Sequence, residues 1–176
     1  MREDGANACM RAAFAYNARM SDMQSSNDSV SETDLLLPGP PVFLAAGFDS
    51  AQLGKLGAYL FALFQKPPDL RELTPAHWGS SVAQCLGISG IGAPAQVSLP
   101  QTPESLPRML LVAGRRVSEL FRVVEFWAAS GLPRPIFAAA TENNLHFAIG
   151  QLVAHLEEEH RLMTQGPPSD EDTSKP

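Results

Sequence analysis

Residues 42–47 read Val-Phe-Leu-Ala-Ala-Gly and residues 109–114 read Met-Leu-Leu-Val-Ala-Gly, so a short apolar run ends at a glycine twice in the chain. A continuous apolar run of this length is typical of a buried β-strand. In both places apolar side chains then recur at helical spacing, over residues 53–64 and 117–127. Each glycine is therefore predicted to separate a strand from a helix.

A third apolar run and a long final helix complete the pattern. Residues 136–140 read Ile-Phe-Ala-Ala-Ala, and residues 144–163 carry apolar side chains on one helical face. Short apolar strands that alternate with amphipathic helices favour parallel pairing through helical crossovers. The sequence therefore predicts an α/β fold with a small, mostly parallel sheet of three to four strands and flanking helices.

The two halves of the chain resemble each other when one is shifted by 67 residues. Residues 40–86 and 107–153 then share nine identical positions without a gap, about twice the number expected for this Ala- and Leu-rich composition. We predict a duplicated β-α-β-α unit with half-units 40–86 and 107–163, joined by a loop over 87–106. The alternative is two unrelated strand–helix units of similar composition. The weakest element is residues 70–73, a short charged stretch that suits an edge strand or a loop.

Changes in composition divide the chain into a central domain and two tails. Residues 1–37 hold three basic and six acidic side chains and a Ser-rich stretch, which predict a disordered N-terminal tail or a degenerate targeting segment. Residues 164–176 include Gly166-Pro167-Pro168, which stops a helix, and predict a disordered acidic tail. Residues 38–163 are predicted to form a single α/β domain.

The charge of the central part disfavours two classes of partner. Between the tails the chain carries nine basic and ten acidic side chains, so it lacks the basic excess of an electrostatic nucleic-acid binder. No apolar run approaches the ~18 residues that a membrane helix needs. We therefore expect a soluble intracellular protein that binds no nucleic acid and spans no membrane.

Motifs for catalysis, metals or cofactors are not evident. His155 and His160 are five residues apart, which places them on different faces of a helix, whereas helical zinc ligands are spaced by four. Cys9 and Cys85 make neither a disulfide framework nor a metal knuckle, and Cys85 is expected to be a small buried side chain. No serine or threonine stands in the context of an activated nucleophile. We predict no catalytic residue, metal or cofactor, and a non-enzymatic role is favoured.

One candidate ligand site lies where the predicted strands end. The carboxyl ends of parallel strands meet at one edge of a sheet, where open α/β sheets bind ligands. Two arginines there would stand at the start of a helix, whose free amides attract anions. The candidate residues are Gly47, Gly114, Arg115, Arg116, Thr141, Asn143 and Asn144. The alternative is that the arginines lie on a solvated turn and that the asparagines cap the final helix.

The segment Pro135-Ile-Phe-Ala-Ala-Ala-Thr-Glu-Asn-Asn144, followed by Leu152 and Glu157-Glu-Glu-His160, resembles a small family of bacteria and plants that is catalogued only as a domain of unknown function. The family pattern is a strand, a Gly-containing turn and a helix, then a strand ending in Thr-x-x-Asn and a helix ending near Glu-His. The resemblance covers residues 107–163 well and 40–86 loosely. It implies no catalytic residues, and similar plant members imply a plastid location.

These observations favour a non-enzymatic interaction or scaffold module that binds another protein, whose identity the sequence does not reveal. The alternative is a regulatory domain that senses a small anion or nucleotide near Gly47, Gly114 and Arg115. The oligomeric state is not predicted.

Overall fold

The structure, a computed structural model, describes residues 35–91, 99 and 101–165. The predicted tails, apart from residues 35–37 and 164–165, and part of the predicted loop lie outside these residues. The elements, in chain order, are β1 (Val42–Ala46), α1 (Ser50–Phe64), β2 (Asp69–Leu73), a 3₁₀ turn (Pro75–His77), α2 (Val82–Leu86), β3 (Met109–Val112), α3 (Val117–Glu125), a second 3₁₀ turn (Trp127–Ser130), β4 (Ile136–Ala139) and α4 (Ile149–Gln165).

The four strands form one mixed sheet in the order β2-β1-β3-β4. The pairs β1–β2 and β3–β4 are parallel, while the central pair β1–β3 is antiparallel. The predicted α/β class, strand number and flanking helices are confirmed, and two of the three pairings are parallel. The charged stretch at residues 70–73 lies in β2, at one edge of the sheet.

Helices cover both faces of the sheet, because the central strands are apolar on both sides. Phe43 and Ala45 of β1 pack with α1 and α3, whereas Leu44 and Ala46 pack with α2 and α4. All five residues of β1 and all four of β3 are buried. The molecule is therefore a three-layer sandwich, and every polar backbone group of its central strands must be paired within the sheet.

Local capping determines where the helices begin. Asp49 Oδ1 accepts a hydrogen bond from the Gln52 amide at 2.8 Å and the Asp49 amide donates to Gln52 Oε1 at 3.1 Å, which makes a capping box at the start of α1. The last helix begins at Ile149, five residues later than the predicted Asn144, because residues 142–146 form turns.

The folded part also starts earlier than predicted, since the Leu37 side chain is buried and its amide donates to the Arg115 carbonyl at 2.8 Å.

The contacts between the two halves join positions that lie 67 residues apart in the chain. In the central strand pair Leu44 lies opposite Leu111, and an isolated bridge joins Ser81 to Ala148. Hydrogen bonds flank this bridge reciprocally, from the Val82 amide to the Phe147 carbonyl and from the Ile149 amide to the Ser80 carbonyl, both 2.9 Å. Exchanging each residue for the one 67 positions away reproduces these contacts, as an approximate two-fold axis between the halves would.

Candidate functional site

The residues of the predicted site are divided between the two ends of the strands. Gly47 follows β1 and Gly114 follows β3, and these strands are antiparallel. The two glycines therefore lie at opposite ends of the strands. The expectation that the carboxyl ends of β1, β3 and β4 would meet at one end of the sheet is wrong for Gly47. Thr141 and Asn144 follow β4, which is parallel to β3, so they lie at the same end of the strands as Gly114.

Both glycines serve close contacts between the halves. Each has a positive φ, 70° at Gly47 and 61° at Gly114. A Cβ at Gly47 would lie 2.7 Å from the Arg108 backbone nitrogen, and one at Gly114 would overlap the Pro40 backbone. Any side chain at these positions would push the other half of the chain away.

Three amides around the start of α3, those of Gly114, Arg116 and Val117, already have partners within the chain. The Gly114 amide donates to the Pro38 carbonyl at 3.2 Å, and the Val117 amide donates to the Leu35 carbonyl at 2.9 Å. The Arg116 amide donates to Glu119 Oε2 at 2.9 Å. An anion at the start of α3 would therefore have to displace carbonyl and carboxylate oxygens of the protein itself.

Arg115 is built into the packing between α1, α3 and the sheet. Its guanidinium carbon lies 4.8 Å from the centre of the Phe43 ring and 4.4 Å from that of Phe64. Its Nη1 donates to Glu119 Oε1 at 3.0 Å, and only 12% of the side chain is exposed. The expectation of a solvated position is therefore wrong for Arg115, whereas Arg116 is exposed.

The Thr141–Asn144 pair ends β4 by hydrogen bonding to its own backbone. The Thr141 amide donates to Asn144 Oδ1 at 2.8 Å, and the Asn144 amide donates to Thr141 Oγ1 at 3.3 Å. The Asn144 side-chain amide also donates to the Ala139 carbonyl at 2.9 Å. Asn143 is exposed. This arrangement resembles the turn after β2, where Thr74 and His77 bond each other at 3.1 Å.

The free edge of β4, which pairs with no other strand among the described residues, is a feature that the sequence analysis did not predict. The Ile136 amide donates to the Arg108 carbonyl at 2.9 Å and the Ala140 amide to the Val112 carbonyl at 2.8 Å. Because backbone groups alternate along a strand, those of Phe137 and Ala139 point away from β3. Ile136, Phe137 and Ala139 are all partly exposed. The signal was available, since residues 135–140 contain no charge.

A shallow groove of about 360 Å³ lies between α4 and the segment before β3, on the face of the sheet that α2 and α4 cover. Its walls include Trp78, Leu106, Val153, Ala154 and Glu157. Most of this lining is apolar, and Glu157 is its single charged side chain. Gln101, Ser105 and Glu157 supply the polar part of the lining, and the remaining walls can accommodate an apolar group.

The reactive side chains of the described residues are dispersed. Within residues 35–91, 99 and 101–165, no three His, Cys, Asp or Glu side chains come close enough to hold a metal ion. Cys85 is half-buried, and burial raises the pKa of its thiol, which lowers its reactivity. No helix of the described part is long and apolar enough to cross a membrane.

Comparison with known proteins adds one relationship. No curated protein and no solved structure gives a significant match to the chain. The resemblance to an uncharacterised family is confirmed for the second half, because residues 108–163, from the start of β3 into α4, match the model of a family described as a domain of unknown function (DUF3783).

Proposed function

We propose that the protein is a non-enzymatic interaction module that binds an extended segment of another protein along the free edge of β4. The observation that carries the proposal is the difference between the two edges of the sheet. β2 and β4 occupy equivalent ends of the order β2-β1-β3-β4, and only β2 is charged.

The β2 edge has the features that discourage strand addition. Asp69, Arg71 and Glu72 place three charges in five residues, and Arg71 pairs with Asp69 at 2.8 Å. Charged side chains on an edge strand oppose pairing with another chain, because a partner strand would desolvate them. The β2 edge is therefore protected.

The β4 edge has the features that favour strand addition. Its sequence is Ile-Phe-Ala-Ala, and its outward backbone groups include the amides of Phe137 and Ala139. An added strand would pair with these groups and cover the partly exposed Ile136 and Phe137 side chains. Main-chain hydrogen bonds would supply affinity and the apolar side chains would supply selectivity. An uncharged, extended peptide segment fits this surface.

The alternative, a small-anion sensor at the start of α3, has weaker support. One observation favours it, since Arg115 Nε is a buried donor for which no hydrogen-bond partner is found in the described part of the chain. Against it, the amides of Gly114, Arg116 and Val117 are paired with protein oxygens, and the Arg115 side chain is paired with Glu119. Strand addition to the outward amides of Phe137 and Ala139 requires no such displacement, while the outward Ala139 carbonyl already accepts from the Asn144 side chain.

The experiment compares two proline variants of the full-length protein. Ala139→Pro removes an outward amide of β4, and Glu72→Pro removes the equivalent amide of β2 as a matched control. Proline is tolerated on edge strands where its missing N–H would face solvent, so circular dichroism should show both variants folded. Binding proteins would be captured from the native source with the wild type and with each variant.

The proposal predicts that Ala139→Pro loses a protein that the wild type and Glu72→Pro both retain. A synthetic peptide from the captured protein should then bind the wild type and not Ala139→Pro. If Ala139→Pro does not fold, Ala139→Glu serves instead, because it gives β4 the charge that β2 has at Glu72. Equal capture by all variants would contradict the proposal. Self-association that is lost in Ala139→Pro would show that the edge binds a second copy of the chain instead.

The duplicated β-α-β-α unit belongs to the same proposal, because it explains why two equivalent edges can be compared. Support comes from register: β1 pairs with β2 and β3 pairs with β4 at positions that keep the 67-residue offset, such as Val42 with Asp69 and Met109 with Ile136. The plastid location implied by the resemblance stays a prediction.

A further inference from the structure

Each half of the chain presents the same kind of surface to the other half. On the α2–α4 layer, the bridge between Ser81 and Ala148 lies on the approximate two-fold axis, and matching backbone hydrogen bonds lie on either side of it. Two further bonds extend this pattern, from the Gly150 amide to the Trp78 carbonyl at 2.9 Å and from the Ala83 amide to the Leu145 carbonyl at 3.0 Å. Trp78 and Leu145 are thus equivalent, as are Ala83 and Gly150.

The side chains of these equivalent pairs differ in size in a complementary way. Trp78 is buried, and a Cβ at Gly150 would lie 2.5 Å from its Cε2 atom and 2.8 Å from its Nε1 atom. The indole therefore occupies the space that a side chain at position 150 would need. On the other side of the axis, the smaller Leu145 is paired with Ala83, which has a methyl group, and both are buried. A large side chain lies against a glycine, and at the equivalent positions a residue of medium size is joined through its backbone to an alanine.

We propose that these two size-matched pairs determine which unit pairs with which. The inference is independent of the β4 edge and rests on the equivalence of the two units. If a first unit paired with another first unit, Trp78 would meet the methyl group of Ala83. If a second unit paired with another second unit, Leu145 would face Gly150 and leave a cavity. Overlap and cavities both destabilise close-packed interiors. The surface of each unit therefore fits the unlike unit and disfavours a like one.

The test exchanges side chains within the full chain, so that three variants keep the same set of side chains and differ in matching alone. Trp78→Leu with Leu145→Trp exchanges the large side chains, which places a leucine opposite Gly150 and a tryptophan opposite Ala83. Ala83→Gly with Gly150→Ala exchanges the small ones and creates the same two mismatches. Both double variants reproduce the contacts of like-with-like pairing. The quadruple variant combines all four changes and moves the matched Trp–Gly pair across the axis.

Thermal and denaturant unfolding of the wild type and the three variants decide the matter. Both double variants should have lower unfolding midpoints than the wild type, or should fail to fold. The quadruple variant should recover more than half of the decrease in unfolding midpoint that the double variants show, although it carries twice as many substitutions. A quadruple variant at least as unstable as the doubles would overturn the inference, because the two positions would not then be equivalent. Double variants as stable as the wild type would overturn it as well, because like pairing would carry no penalty.

Discussion

At the scale of single residues, we expect Tyr59 to make the free energy of unfolding sensitive to alkaline pH. Its hydroxyl donates to the Val123 carbonyl at 2.8 Å, its ring packs edge-to-face against Trp127, and burial raises its pKa from 10.0 to about 12. Because the folded state holds this proton more tightly than the unfolded state, the contribution is complete below pH 10. It is lost as the pH rises towards 12, by at most about 1.4 kcal/mol per pH unit.

Tyr59→Phe isolates this contribution. We expect it to cost about 1 kcal/mol at neutral pH, because the Val123 carbonyl loses its donor, and to flatten the alkaline part of the stability profile. Urea unfolding of both proteins between about pH 8 and 12 measures the two slopes. An equally steep alkaline loss in the variant would assign the effect to another group.

Arg115 has a structural role that distinguishes it from its neighbour Arg116. Arg115→Ala should lower the free energy of unfolding by about 1–3 kcal/mol, because it removes contacts with Phe43 and Phe64 and the bond to Glu119. Arg116→Ala should cost less, since that side chain is exposed. Melting scans measure both effects.

The same scans, repeated with phosphate, sulfate and nucleotides, test the anion-sensing alternative. We expect none of these anions to raise the melting temperature of the wild type. An increase that disappears when both arginines are replaced by alanine would favour the anion sensor over strand addition, because ligand binding to the native state stabilises it.

At the scale of elements, the two long helices that follow the glycines begin differently. Asp49 caps α1 with its side chain, whereas α3 begins after Arg116, which has no acceptor oxygen in its side chain. Glu119 already completes half of a capping box by accepting from the Arg116 amide. Arg116→Ser would supply the missing half, because Arg116 has the extended backbone of an N-cap. We expect a gain of about 0.5–1 kcal/mol in unfolding free energy.

Asp49→Ala calibrates this prediction at the N-cap of α1, where about 1 kcal/mol should be lost. Denaturant unfolding of both variants measures the two effects on one scale. A loss of stability in Arg116→Ser would show that the arginine side chain contributes more at this position than a cap does.

At the scale of the whole molecule, the elements were predictable and their mutual direction was not. The strands at residues 42–46, 109–112 and 136–139 lie within or at the predicted runs, because an unbroken apolar run can be buried only where both sides are covered. The antiparallel pairing of β1 with β3 had no such signal. The predicted loop of about 20 residues between the units is long enough to permit either direction. Because β1 runs antiparallel to β3, Gly47 and Gly114 lie at opposite ends of the strands and the predicted site is divided.

The sequence by itself determined the α/β class and the order of strands and helices, because hydrophobic period and capping are local properties of the chain. The tertiary structure alone decided the antiparallel centre of the sheet, the burial of Arg115 against Phe43 and Phe64, and the contact of Trp78 with Gly150. It also left β4 as an uncharged edge. These features join residues far apart in the chain, and their free energies depend on packing between surfaces that exist only after both halves of the chain have folded.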